Sequence, residues 1–166
     1  WQPVKLAAME GLFETTHGAP LAILGMPDVD NQTLIDPIYV PKVLSFLAYG
    51  NFAANVSGLR AYPREYWPPV ALAYYAYHIM VGLGTLAALY AVVTVGLTVL
   101  WRERLKSRLY LWATVAVAPF GFLALEAGWM VTELGRQPWI VYGVLRTNDT
   151  VTPMRGLVVP FTVVTV

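Results

Sequence analysis

The sequence contains no cysteine. That removes disulfides, thiolate metal sites and thiol chemistry, while saying little about compartment. Charge is scarce too: only 13% of the 166 residues are Asp, Glu, Lys or Arg, against about a quarter in an ordinary soluble domain. With a net charge of +1 and no basic patch, nothing suggests a nucleic-acid partner. There is no initiating Met and no charged stretch leading into a short apolar segment, so no signal peptide is read. Both ends look cut, Trp1 opening in mid-motif and Val166 stopping inside an apolar run. The chain is expected to be a piece of a longer protein.

What is abundant is hydrophobicity. Hydrophobic residues make up 57% of the chain and the mean hydropathy is +0.55, which together with long uncharged runs points to a membrane protein. Residues 68–101 contain no Asp, Glu, Lys or Arg. As a helix they would be roughly 50 Å long, more than the ~30 Å hydrocarbon core. Trp67 and Trp101 stand where interfacial aromatics are expected. Residues 109–134 read as a second span, with Pro119 predicting a kink in its middle. The run 156–166 reads as the start of a third, too short to cross. Between the first two spans, "RERLKSR" at 102–108 carries four basic residues and one acid, so the positive-inside rule makes it cytoplasmic. Residues 1–67 and 135–155 then lie on the outer side. Within 1–67, short helices are expected over 4–13 and around "PKVLSFLAYG", and "TTHGAP", "GMPDVDNQ" and "AYPREYWPP" read as turns. The expected class is an all-α, polytopic transmembrane bundle fragment with an extracytoplasmic loop region.

Several residues carry possible chemistry. Glu126, Trp129, Met130 and Glu133 share one helix face by their i, i+3, i+4, i+7 spacing. An ionisable group in a span commonly faces a bundle interior, a cavity or a cofactor. Glu133 also has Arg136 three positions on, so a simple surface ion pair is an alternative. Glu126 lies deeper, where a carboxylate would serve a proton path or a metal centre. Met80, in "YHIMVGLG", is either core packing or a thioether ligand to haem iron; Gly82 and Gly84 would admit a planar group or another helix. His78 projects from a different face than Met80. Lys5 and Glu10, in "QPVKLAAMEGLFET", either form the solvated face of a surface helix or bind a quinol head group, Lys5 donating and Glu10 accepting a proton. His17 reads as an ordinary loop residue.

Taken in order, these stretches resemble one family, subunit I of the cytochrome bd type quinol:oxygen oxidases. "QPVKLAAMEGLFET" resembles the family's "QPxKxAAxE" opening of the quinol loop, "YHIMVGLG" its Met-bearing helix, and "GWMVTELGRQPW" its "GWxxxExGRQPW" signature. The resemblance implies that Lys5 and Glu10 interact with quinol, that Met80 ligates a low-spin haem b and that Glu133 ligates a high-spin haem b. It further implies that Trp129 packs among the haems and that Arg136 sits beside their propionates. His78 stands where the family often has Arg, and would stabilise negative charge on a haem less well. The connection from "DVDNQTLIDPIYVPKVLSFLAYG" to "YPREYWPP" resembles the short-loop branch.

The same resemblance implies the activity: quinol oxidised at the outer loop, dioxygen reduced to water, and proton motive force generated without proton pumping. It implies haem d as a third cofactor, the remainder of subunit I and a homologous subunit II as partners, and a bacterial or archaeal cytoplasmic membrane. The family's His ligands lie in earlier helices, so this chain is not expected to be a competent oxidase alone. Two other readings stay open, a non-catalytic haem- or quinone-binding membrane module and a transporter using Glu126 and Glu133 as an ion path. Met80 and Glu133 are expected to face a common interior.

Overall fold

A computed structural model describes residues 2–150. The first helix, α1 (Pro3–Glu10), starts with Pro at its N-terminal turn, where a missing N–H costs nothing. It stops at Gly11, whose φ of 61° is left-handed and whose N–H donates to the Ala7 and Ala8 carbonyls. The glycine is needed twice, because an added Cβ would also sit 3.0 Å from Leu34 and 3.2 Å from the Tyr74 ring. Val4, Ala7 and Ala8 are buried with Phe13, Leu59, Val70 and Ala73 in one apolar cluster.

The loop region that follows is not purely helical, and the all-α expectation is corrected here. Across all the described residues, helix makes up 58% and strand 17%. Strand β1 (Thr16–His17) leads to an antiparallel pair, β2 (Leu21–Asp28) and β3 (Thr33–Val40), whose turn is held by the Asp28 carboxylate accepting from the Asp30 and Asn31 amides. Then come α2 (Val43–Tyr49) and β4 (Asn55–Val56), which closes back on β1. Gly25 and Pro27 made "GMPDVDNQ" read as a turn. They are tolerated because the pair has only two strands and its register shifts around Leu24, so β2 carries irregularities that a central strand would not. The short helix expected over 4–13 is α1, and the one expected around "PKVLSFLAYG" is α2.

After two 3-10 turns, Pro68 and Pro69 lead into α3 (Val70–Leu100), 31 residues with no charged side chain. A 3-10 turn at Arg102–Lys106 follows, with the Arg104 guanidinium 5.7 Å from the Trp101 ring. Ser107 caps the next helix, its Oγ accepting from the Tyr110 amide at 3.3 Å. The second long segment is divided at the expected place, into α4 (Arg108–Val117) and α5 (Phe120–Gly135), with Pro119 between them. Val70–Leu100 and Arg108–Gly135 are both long and apolar enough to cross a membrane, with mean hydropathies of 2.1 and 1.6. The stretch after α5 folds into β5 (Trp139–Val141) and β6 (Leu145–Arg146). The expected third span at 156–166 lies outside the described residues.

Helix α3 packs along α5, and α1 touches both. The buried core therefore sits at one end of the long helices, beneath the loop region. A tight point in it is Gly58, where an added Cβ would come within 2.4 Å of the Glu14 backbone. Gly58→Ala is expected to destabilise the full-length protein by about 1–3 kcal/mol, as overpacking against an unyielding neighbour does. Gly96→Ala, in open space on α3, should be neutral or stabilising by up to ~1 kcal/mol. Thermal unfolding of both variants checks the contrast; equal effects would contradict it.

Candidate functional site

Helix α5 has two faces with different work. Ala127, Val131 and Gly135, spaced by four, are buried. Trp129 is 64% exposed, and Glu126 and Met130 are exposed beside it. Glu126 and Glu133, seven apart, are separated by only about 20° around the helix. The apolar, acid-bearing face is thus left uncovered by the described residues.

At the C-terminal end of α5 the charges gather. The Arg136 guanidinium donates to Glu133 Oε2 at 2.5 Å, with side chains 41% and 46% exposed. The ion pair that the spacing allowed is therefore formed. Lys5 joins it from α1: an added Cβ on Gly135 would lie 3.0 Å from Lys5 Cγ and Cε, so the lysine stem crosses the helix where a side chain is missing. Burial, and then the neighbouring Arg136 charge, hold the Lys5 ammonium below its usual range, with Glu133 opposing the shift. A cation at a helix C-terminus is also favoured by the aligned peptide dipoles.

Met80 reaches α5 elsewhere. Its sulfur lies 3.0 Å from the position a Cβ would take at Gly128. Gly128 and Glu133 are five residues apart, about 140° around the helix. Met80 therefore packs against a different face of α5 from the one that carries Glu133. His78 turns away from Met80, its Nδ1 2.9 Å from the Tyr74 carbonyl oxygen and its Nε2 3.0 Å from that of Ala22. It ties β2 to α3.

Glu10 is the buried acid of the molecule, 3% exposed. Lys5 and Glu10 are also five apart, so α1 turns them to different neighbours: Lys5 to α5, Glu10 to α3 and β2. Neither Glu10 oxygen makes a hydrogen bond of normal geometry, nor does the buried Tyr74 hydroxyl. Burial pushes the Glu10 carboxyl above its usual range; the Tyr77 side chain, His78 and the Ala22 backbone offset part of that. Tyr74, Tyr77, Gly128 and Gly135 did not stand out in the sequence. The run "YYAYH" was the available signal, hydroxyl-bearing aromatics clustered in a segment without Asp, Glu, Lys or Arg. His17 is exposed, with Nδ1 3.0 Å from Asn55 Oδ1, an ordinary loop contact. Among the described residues no group of three or more His, Asp or Glu could hold a metal ion by itself.

These features define a helical membrane protein whose ionisable side chains collect where a folded loop region meets its two long helices. The chain belongs to the cytochrome bd terminal oxidase subunit I family, whose profile matches residues 1–166. It is 41% identical, over 97% of its own length, to a putative cytochrome bd menaquinol oxidase subunit I of Bacillus subtilis. It is 39% identical, over 92%, to a cytochrome bd ubiquinol oxidase subunit 1 of the same organism. The solved bd oxidase of Geobacillus thermodenitrificans superposes with a TM-score of 0.82 at 33% identity, covering 99% of this chain and 38% of that one. The chain spans 36% and 34% of the two Bacillus relatives.

The environment of Glu10 has a thermodynamic consequence. A carboxyl whose folded pKa is raised binds its proton more tightly when folded, so the folded state loses stability as pH rises from the unfolded value toward the folded one. Glu10→Gln should remove that loss. The variant's advantage in thermal stability over wild type should grow as pH increases above the ordinary carboxylate range; parallel pH profiles would contradict the burial account.

Proposed function

We propose that this chain is the part of a terminal oxidase subunit that binds quinol and contributes ligands to two haems b. In the complete enzyme, membrane quinol would be oxidised and dioxygen reduced to water, generating proton motive force without pumping. The turn 102–108 would be cytoplasmic and the loop region 1–67 external. The rest of subunit I, a homologous subunit II and haem d complete the assembly in a bacterial or archaeal membrane. The observation that supports this most is the Lys5–Glu133–Arg136 cluster, because it joins the loop region to the helix bearing the family signature.

The residues fit haem. The face of α5 holding Trp129, Met130 and Glu133 is apolar and uncovered, and added Cβ atoms at Gly82, Gly84 and Gly121 meet nothing within 4 Å. Arg136 occupies only Oε2 of Glu133, and the carboxylate has a second oxygen to offer a metal. Bound haem iron supplies one-electron transfer and, at the oxygen-reducing centre, reaction with dioxygen. Glu133 gives a hard anionic oxygen to the high-spin haem b, while Met80 gives a soft thioether to the low-spin one. Arg136 neutralises propionates through charge-assisted bonds. Trp129 packs as a flat apolar neighbour. His78, fixed between two carbonyls, holds the loop beside the low-spin site.

At the loop, Lys5 would donate a hydrogen bond to a quinol oxygen and Glu10 would take up one of the two protons released to the outer side as quinol becomes quinone, its two electrons passing to the enzyme's redox cofactors. A carboxyl with a raised pKa is better matched to that exchange than an ordinary one. Because the two side chains face different neighbours, they would act on the head group from different sides or in sequence.

Glu133→Ala in the complete enzyme should reduce or shift the high-spin haem b signal and leave the low-spin signal in place. Arg136→Ala should be milder, since the iron bond survives. If the two only pair with each other, either change costs about 0–1 kcal/mol, the worth of an exposed ion pair, and both optical spectra stay wild type. A separate expectation concerns Lys5→Ala, which should raise the KM for quinol with haem content unchanged. Loss of haem without a change in quinol kinetics would count against the loop assignment.

A further inference from the structure

Between β2 and α3 lies an apolar cleft of about 350 Å³, within the size range of small-molecule sites. Ile23 forms one wall, and Val81, Gly82 and Leu86 the other; Tyr77 and His78 also line it. Ile23, Val81 and Leu86 are each roughly half exposed, at 48%, 43% and 52%, and an added Cβ at Gly82 meets nothing within 4 Å. The cleft is therefore open at its side.

Its depth follows from the length of α3. Counting back from Leu100, beside the basic turn, about 20 residues span the ~30 Å hydrocarbon core. That count reaches Val81. The Val81–Leu86 wall then falls at the margin of the hydrocarbon farthest from the basic turn, at the depth of the lipid tails. Tyr77 and His78 lie on the other side of that margin.

Polar groups short of hydrogen bonds stand behind the Tyr77 and His78 lining. Tyr77, His78 and Ala22 line the cleft, and the same three groups act on the Glu10 carboxyl. Glu10 is buried with neither oxygen in a hydrogen bond of normal geometry, although the Tyr77 side chain and the Ala22 backbone act on it, and the buried Tyr74 hydroxyl is likewise unmet. Buried polar atoms are normally satisfied, so a carboxyl in this state points to a donor-bearing ligand. Apolar walls reaching the bilayer at one end and unmet acceptors at the other suit an amphiphile with hydroxyls on its head and a long apolar tail.

We infer that this cleft is the lipid-facing access and tail site for membrane quinol, with the head group turned inward toward Glu10 and the tail leaving past Ile23, Gly82 and Leu86 into the bilayer. The assignment rests on the quinol reading of Glu10 given above. It adds a specificity element: affinity for the tail resides in the hairpin–helix cleft, apart from the groups that handle protons. A structural lipid, or a helix from the rest of the protein, is the competing occupant.

The test uses the complete enzyme with Ile23→Trp and, separately, Leu86→Trp, which narrow the opening from opposite walls. Steady-state oxidation is measured with a long-tailed prenyl quinol and with a tailless quinol of the same ring, and haem content is recorded by optical spectrum. The expected result is a KM for the long-tailed quinol raised about tenfold, with kcat, the tailless quinol and haem content unchanged. If either variant is lost to misfolding, the other carries the same comparison, and Leu24→Trp, exposed on the same strand but outside the cleft, should leave both quinols unaffected. Equal effects on the two quinols, or none on either, would overturn the tail assignment, the second outcome meaning that lipid or another helix fills the cleft. A wild-type enzyme that oxidises neither quinol would instead refute the reading of Glu10 as a quinol residue.

Discussion

The close approach of α3 and α5 is the constraint from which the site follows. Membrane helices gain no hydrophobic driving force from meeting one another, so contact depends on small residues that let the backbones come near. On α5 the buried line is Ala127, Val131 and Gly135, with Gly128 beside it facing the Met80 sulfur. Each missing side chain is filled by a particular neighbour: Met80 at Gly128 and the Lys5 stem at Gly135. Larger residues at either position would separate the helices and displace the side chains on which the redox reading depends.

That packing decides where polar groups end up. With one face of α5 committed to α3, Glu126 and Trp129 are turned outward and Glu133 toward Arg136. The short helix α1, laid over the helix pair, divides Lys5 and Glu10 between separate partners. Lys5 enters a charged cluster that is still partly solvated, where ion-pair energies are small. Glu10 enters a buried pocket of aromatic residues, where an acid keeps its proton more readily. Two chemically distinct environments thus lie on either side of one eight-residue helix.

Much of this architecture was legible in the residues. The uncharged runs gave both long helices to within a few positions, and Pro119 gave the break between α4 and α5, because these signals are local and strong. The β2–β3 pair was not legible. Gly25 and Pro27 oppose a strand by propensity, and the pairing that overrides them is tertiary. The separation of Lys5 from Glu10 was present in their five-residue spacing, which does not place two side chains on one helix face. The seven-residue spacing of Glu126 and Glu133 puts both on one helix face for the same geometric reason. Gly135 and Gly128 were visible only as members of a motif; what they accommodate comes from other helices, and no local pattern reports it.

The central claim is that the uncovered face of α5 and the Met80 region of α3 serve haem iron in the complete protein. The most direct measurement is the reduced-minus-oxidised optical spectrum of the purified full-length protein in its membrane complex. The account predicts two distinguishable haem b components, one low-spin and one high-spin. A purified, folded protein with no haem absorbance, or with a single b-type component, would contradict it.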